Sequence, residues 1–165
     1  ATTSSAIQVQ HHETSGEVEY VVVVGPRDLY VTVGSDHSDR ALEQKSVSLA
    51  KQVCPNIVAP KVLRYQDVKG RWDELILRSW VSQKGDWRLY QEATLRDLLP
   101  VEELLGLSRE VLGDCPTGLV LFSGTIATRE GLVCGAGYRI ELQDPLTGDS
   151  ITHEYLVEVL PPAKE

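Results

Sequence analysis

The sequence predicts an α+β domain that is predominantly β. Three observations carry this: valine, tyrosine and threonine cluster in short runs, Gly, Pro and Asp punctuate the runs, and only two stretches have helical apolar spacing. At 165 residues and 42% apolar content the chain has the length of one domain, residues 1–165, with enough apolar material for a core. Strands are expected at Glu17 to Val24 and Leu29 to Val33. "SDRALEQKSVSLAKQV" then sets Leu42, Val47, Leu49, Ala50 and Val53 at a spacing compatible with one helix, or a broken one, after an Asp39 N-cap. Further strands are expected at Asp73 to Val81 and Trp87 to Ala93. "PVEELLGLSREVLGDCP" opens on Pro100 with early acids and closes on Gly113, the marks of a helix. Three strands complete the domain, at Leu119 to Ser123, Tyr138 to Leu142 and His153 to Leu160. Repeats, low-complexity tracts and linkers are absent from the sequence.

Composition narrows the function classes. Sixteen basic residues against 24 acidic ones give a net charge of −8 without any basic run, so nucleic acid is not an expected partner. No apolar stretch approaches the ~18 residues of a membrane span, and "ATTSSAIQVQ" lacks the charged and apolar regions of a signal peptide, so a soluble protein with no membrane partner is expected. Cys54, Cys115 and Cys134 are odd in number, widely spaced and without a C-x-x-C pair. That pattern fits reduced thiols and a cytoplasmic address rather than disulfides or zinc. The chain contains no methionine, not even an initiator, so it reads as a processed or partial product.

The segment "SGEVEYVVVVG" raises the first chemical question. In a strand side chains alternate faces, so Glu17 and Glu19 share a face with Val21 and Val23, while Val18, Tyr20, Val22 and Val24 fill the other. An unpaired carboxylate on a strand covered on both sides is costly, so a cation should meet it. Two oxygen donors one pleat apart suit a hard divalent ion such as Mg2+, Mn2+ or Ca2+. E-x-E is also common at wetted strand ends, and taken alone it fits that arrangement better. Three other stretches bear on the choice. "GSDHSDRALE" follows a strand and adds Asp36, which would complete a carboxylate triad, beside His37 and Arg40. "SLAKQVCPNIVAPK" holds Lys51 in an apolar helical setting, where a surface lysine would snorkel. "GLVLFSGTIATREGL" is an apolar strand ending at Gly124 and Thr125, where a small residue lets backbone approach a ligand.

Taken in order, the four stretches resemble the fumarylacetoacetate hydrolase-like superfamily, and in particular an uncharacterised bacterial branch of it known as a domain of unknown function. In that family E-x-E on a strand is followed by a D-x-[ST]-x-R loop, then by a lysine before a Cys or Pro segment, and later by a strand ending in T-G-T-P. The counterparts are Glu17 and Glu19, then Asp36, Ser38 and Arg40, then Lys51, then Ser123, Gly124 and Thr125. The resemblance spans the whole chain. It implies a mixed β-sandwich roll, Mg2+ or Mn2+ held by Glu17, Glu19 and Asp36, Lys51 close to a small oxo-acid substrate, and Arg40, Gly124 and Thr125 contacting that substrate. It also implies a homodimer.

Departures from the family pattern bear on specificity. The stretch between Asp36 and Lys51 is shorter than in the characterised hydrolases, Ile126 replaces the family's proline, and Glu43 stands where a substrate-contacting glutamine often lies. The family's catalytic His and Glu pair lies on a lid well upstream of E-x-E, and this chain begins too soon to contain it. "HHE", His11 to Glu13, has the wrong spacing for that pair, so His37, beside Asp36, is the candidate general acid or base, with a supporting role beside the metal an equal alternative. The implied reaction is hydrolysis of a C–C bond in a β-diketo acid of acylpyruvate type through a metal-stabilised enolate. Decarboxylation, isomerisation or hydration would use the same enolate, and a noncatalytic binding domain would keep the ion alone.

Overall fold

A computed structural model describes residues 1–162. In chain order the strands are β1 (Ala6–Val9), β2 (Thr14–Ser15), β3 (Val18–Val24), β4 (Leu29–Ser35), β5 (Ser38–Asp39), β6 (Ile57–Val58), β7 (Leu63–Arg64), β8 (Ile76–Gln83), β9 (Asp86–Thr94), β10 (Val120–Phe122), β11 (Gly137–Gln143) and β12 (Ser150–Val159). The helices are α1 (Arg40–Glu43), α2 (Val47–Gln52), α3 (Tyr65–Val68) and α4 (Val101–Leu112). The class is α+β and predominantly β, as the composition of the runs predicts.

Two sheets form a sandwich. One has the order β1-β12-β11-β8-β9, antiparallel except where β1 lies parallel to β12. The other has the order β10-β3-β4-β6, with β7 also on β4. The alternation expected for the valine run holds: Val18, Tyr20, Val22 and Val24 enter the core with Val31 and Val33 of β4. Leu77 and Val81 of β8, Tyr138, Ile140 and Leu142 of β11, and Ile151 and Tyr155 of β12 meet them from the facing sheet. Helix α4 closes one side by burying Val101 and Leu105, and the core hydroxyl of Tyr20 donates to the Leu99 carbonyl just before it at 2.5 Å.

Several boundaries differ from those expected. Glu17 falls one residue outside β3. Asp73 and Glu74 lie not in a strand but in a 3-10 helix, Lys69–Glu74, which buries Trp72 and delays β8 to Ile76. The expected helix after Asp39 is broken. Asp39 accepts from the Leu42 amide to cap α1, and Ser46 then caps α2 by accepting from Leu49, so a second start interrupts the first helix. In α2 only Ala50 is buried, leaving Val47, Leu49 and Val53 exposed despite their spacing. Helix α4 begins after Pro100 and ends on Gly113 at φ 80°, where the expected glycine stop lies. The cysteines are unpaired. No helix of the described residues is long and apolar enough to cross a membrane.

Two glycines test this packing in opposite directions. At Gly34 a Cβ would lie 2.6 Å from Val21 Cγ2, 2.7 Å from the Ile57 carbonyl oxygen and 2.8 Å from Phe122, whereas at Gly106, inside α4, it would meet nothing within 4 Å. Gly34→Ala should destabilise the domain by about 1–3 kcal/mol through overpacking. Gly106→Ala should stabilise it by about 0.5–1 kcal/mol by removing unfolded-state freedom. Urea denaturation of both variants checks this, and shifts of the same sign would contradict the packing described.

Candidate metal centre

The antiparallel register of β3 on β4 assembles the acids. Val18 pairs with Ser35 and Glu19 with Gly34, and the Asp36 amide donates to the Glu17 carbonyl at 3.0 Å. Glu17 and Asp36 therefore leave adjacent strand ends, while Glu19 projects from inside β3 on the face away from the core. Glu17, Glu19 and Asp36 each bring a carboxylate oxygen within 4.8 Å of the others. Glu19 and Asp36 are buried, and Glu17 is partly so.

Cations and amides meet these acids from three other elements. Lys51 of α2 places Nζ 3.0 Å from Glu17 Oε2 and also donates to Asp36 Oδ2. Arg40, at the head of α1, sets Nη2 3.0 Å from Glu17 Oε1 and Nη1 2.8 Å from Glu43. The short β2–β5 ribbon anchors this arginine: its amide donates to the Glu13 carbonyl and its Nε to Ser15 Oγ at 2.7 Å. β10 lies beside β3 with Phe122 opposite Val21, which brings the Gly124 amide within 2.7 Å of Glu19 Oε2.

Burial is the main force that pushes the Glu19 carboxyl up to about 7. Repulsion from Asp36 and Glu17 adds to it, while the Gly124 amide and Lys51 oppose it. Burial pulls the Lys51 ammonium down, but bonds to Asp36 and Glu17 outweigh it and hold the group above its ordinary value. Compensation is incomplete, because Asp36 Oδ1 is buried with no hydrogen-bond partner among the described residues. A buried carboxylate oxygen without a partner, in a set of three hard oxygen donors, fits a hard divalent cation such as Mg2+ or Mn2+ better than zinc.

The remaining sequence candidates fall in different places. His37 is fully buried. Its Nε2 lies 2.9 Å from Thr14 Oγ1 and its Nδ1 3.1 Å from Tyr155 Oη, inside the sandwich and away from the carboxylates. Burial, helped by the Arg40 charge, lowers its pKa to about 3, so the ring is neutral across the physiological range. The Thr125 hydroxyl donates to the Val18 carbonyl and accepts from Gln91, while Ser123 Oγ donates to the Gly124 carbonyl. In the HHE segment, His11 bridges to Asp39 and not to the acid cluster. Sequence reasoning missed Ser15, Thr14, Tyr155 and Gln91. Each is an ordinary strand residue in sequence, distant along the chain from what it holds.

The fold is similar to that of solved proteins. It superposes on 2-keto-3-deoxyarabinonate dehydratase in a hexagonal crystal form with a TM-score of 0.68 at 16% identity, covering 94% of this chain and 55% of that one. Cg1458 gives a TM-score of 0.67 at 16% identity over 94% of this chain and 67% of that one. For 2-keto-3-deoxy-D-arabinonate dehydratase complexed with magnesium and 2,5-dioxopentanoate the values are 0.66, 17%, 94% and 56%. The chain thus spans little more than half the length of the dehydratase, and at this identity the likeness is one of fold. No curated protein matches the sequence. The family model described as "Protein of unknown function (DUF2848)" matches residues 1–155, and the chain therefore belongs to that family.

Proposed function

We propose that this chain is the metal-binding catalytic domain of a fumarylacetoacetate hydrolase-like enzyme acting on a small 2-oxo acid. Glu17, Glu19 and Asp36 would hold Mg2+ or Mn2+. The observation that carries the reading is the buried, partnerless Asp36 Oδ1 within a set of three mutually close carboxylates. When bound, the ion would supply Lewis acidity to the oxo group of a chelating acid. Lys51 is 31% exposed and turned to two of the three acids, so its ammonium can stabilise negative charge that develops on the substrate. Arg40, engaged by Glu17, Glu43 and Ser15, orients Glu17, and the Gly124 amide orients Glu19. Neutral His37 acts as a support, bridging Thr14 of β2 to Tyr155 of β12 beneath the Asp36 turn.

C–C hydrolysis of an acylpyruvate-like β-diketo acid is one outcome of such chemistry. Dehydration is the second, and the neighbour solved with magnesium and 2,5-dioxopentanoate favours it. Products distinguish the two: two acids from hydrolysis, and a dioxo acid with loss of water from dehydration.

Metal removal is the first test. Chelator-treated protein should melt several degrees lower and regain its melting temperature with excess Mg2+ or Mn2+, because the ion binds only the folded state. A melting temperature indifferent to both treatments would remove the metal site.

The metal-free protein should show a specific pH dependence. Glu19 has a folded pKa raised from 4.5 to about 7, so its contribution to stability is full below 4.5 and is lost as pH rises through 7. For His37 the folded value is depressed from 6.5 to about 3, so its contribution is present above 6.5 and lost as pH falls. The two slopes oppose each other between pH 4.5 and 6.5, leaving wild-type stability nearly flat there. Glu19→Gln should expose the histidine slope, a loss of about 1.5 kcal/mol between pH 6.5 and 5 in urea denaturation. A flat Glu19→Gln profile would contradict the buried neutral histidine.

Lys51→Met separates catalyst from binder. It removes the charge while keeping most of the apolar stem, so Mn2+ binding should persist while turnover of acylpyruvates, oxaloacetate or 2-oxo-3-deoxy acids falls about 100-fold. An active wild type matched by Lys51→Met would void the role given to this residue.

A further inference from the structure

We infer that Gln91 is the positioning residue of the metal centre: from the opposite sheet it clamps the two peptide units of E-x-E and the loop that holds Glu19. The inference rests on the metal-site reading above. Gln91 lies on β9, is fully buried, and is 73 positions from Val18. Its Oε1 accepts from the Val18 amide at 3.1 Å and from Ser79 Oγ at 2.9 Å. Its Nε2 donates to Thr125 Oγ1 at 2.9 Å and to the Ile126 carbonyl at 2.6 Å. All the hydrogen-bonding capacity of the carboxamide is in use, which also fixes which atom is oxygen and which nitrogen.

The polarity of the network follows from this. Thr125 Oγ1 accepts from Gln91, so its own proton goes to the Val18 carbonyl at 2.8 Å. The Val18 N–H belongs to the peptide joining it to Glu17, and the Val18 C=O to the peptide joining it to Glu19. Gln91 and Thr125 thus grip both links between the two metal-ligand glutamates. They do so on the β3 edge opposite β4, which β10 leaves unpaired because it reaches only Phe122, opposite Val21. The grip on Thr125 and Ile126 also sets the position of Gly124, whose amide holds Glu19 Oε2. One side chain therefore braces the backbone between Glu17 and Glu19 on the edge opposite β4 and, through Thr125 and Ile126, the loop whose amide orients Glu19. A core residue that served packing alone would need none of these four bonds.

The test measures Mn2+ affinity by calorimetry and amide exchange by NMR on the same chain. Gln91→Met keeps similar volume and loses every bond. It should lower Mn2+ affinity about 10-fold or more, and it should speed exchange at both Val18 and Gly124. Gly124 is diagnostic, because its amide bonds Glu19 and never touches Gln91. Should Gln91→Met fail to fold, the Thr125 pair decides: Thr125→Val should reproduce both losses, while Thr125→Ser, which keeps the hydroxyl, should restore wild-type values. Wild-type Mn2+ affinity and unchanged Gly124 exchange in a less stable Gln91→Met, or equal behaviour of the two Thr125 variants, would overturn the clamp. A wild type that binds no Mn2+ would overturn the metal reading instead, and exchange at Gly124 would still decide whether Gln91 positions Glu19.

Discussion

Three carboxylates within 4.8 Å of one another, two of them buried, are the constraint around which this domain is arranged. Burial and mutual repulsion both disfavour such a cluster, and neither is relieved by the apolar sandwich beneath it. Relief comes from Lys51, Arg40 and the Gly124 amide, each delivered by a different element. Helices α1 and α2, with the β2–β5 ribbon that anchors Arg40, make sense in this light. They bury little apolar surface, and the charges they carry reach the acids from the side that the sheets leave open.

The sandwich contributes geometry. Antiparallel register places Glu17 beside Asp36 without any side-chain contact having to choose it, and a one-residue slip would send Glu19 into the core. The identity of the inward side chains protects against such a slip, since Val18, Tyr20, Val22 and Val24 would have to leave the core together. Gly34 lies directly opposite Glu19 and leaves the space that a side chain would fill. Stability of the strand pair and spacing of the three carboxylates are thus the same property.

How much of this was legible in the sequence depended on whether the signal was local. Alternation assigned the faces of the valine run, Asp39 and Gly113 marked helix ends, and order along the chain grouped Glu17, Glu19, Asp36 and Lys51, which the structure brings together. Non-local features gave no such signal. β1 pairs parallel with β12 from the far end of the chain, so no turn announces it. Asp73 lies in a 3-10 turn because Trp72 must be buried, a demand set by tertiary packing. His37 illustrates the same limit: adjacency to Asp36 suggested chemistry, but in the two-residue connection between β4 and β5 the Asp36 carboxylate joins the acid cluster while the His37 ring enters the core.

The turn between β4 and β5 serves both the acid cluster and the core. It offers the Asp36 carboxylate to Lys51 and the other acids, and it places a neutral imidazole in the Thr14, Ser35 and Tyr155 network. The histidine ties the turn to β12 and to β2, the strand whose Ser15 accepts from Arg40. Arg40 in turn holds Glu17. The contacts run from Tyr155 through the His37 ring to Thr14, along the backbone to Ser15, and on through the guanidinium to a Glu17 oxygen, the non-covalent steps each at about 3 Å. On the other flank Gln91 does the same for Glu19 through Thr125 and Gly124. Neutral residues inside the sandwich thus brace both flanks, directly through the Gly124 amide for Glu19 and through Arg40 for Glu17. Lys51, paired with Glu17 and Asp36 yet partly exposed, is the charged group that the open side presents.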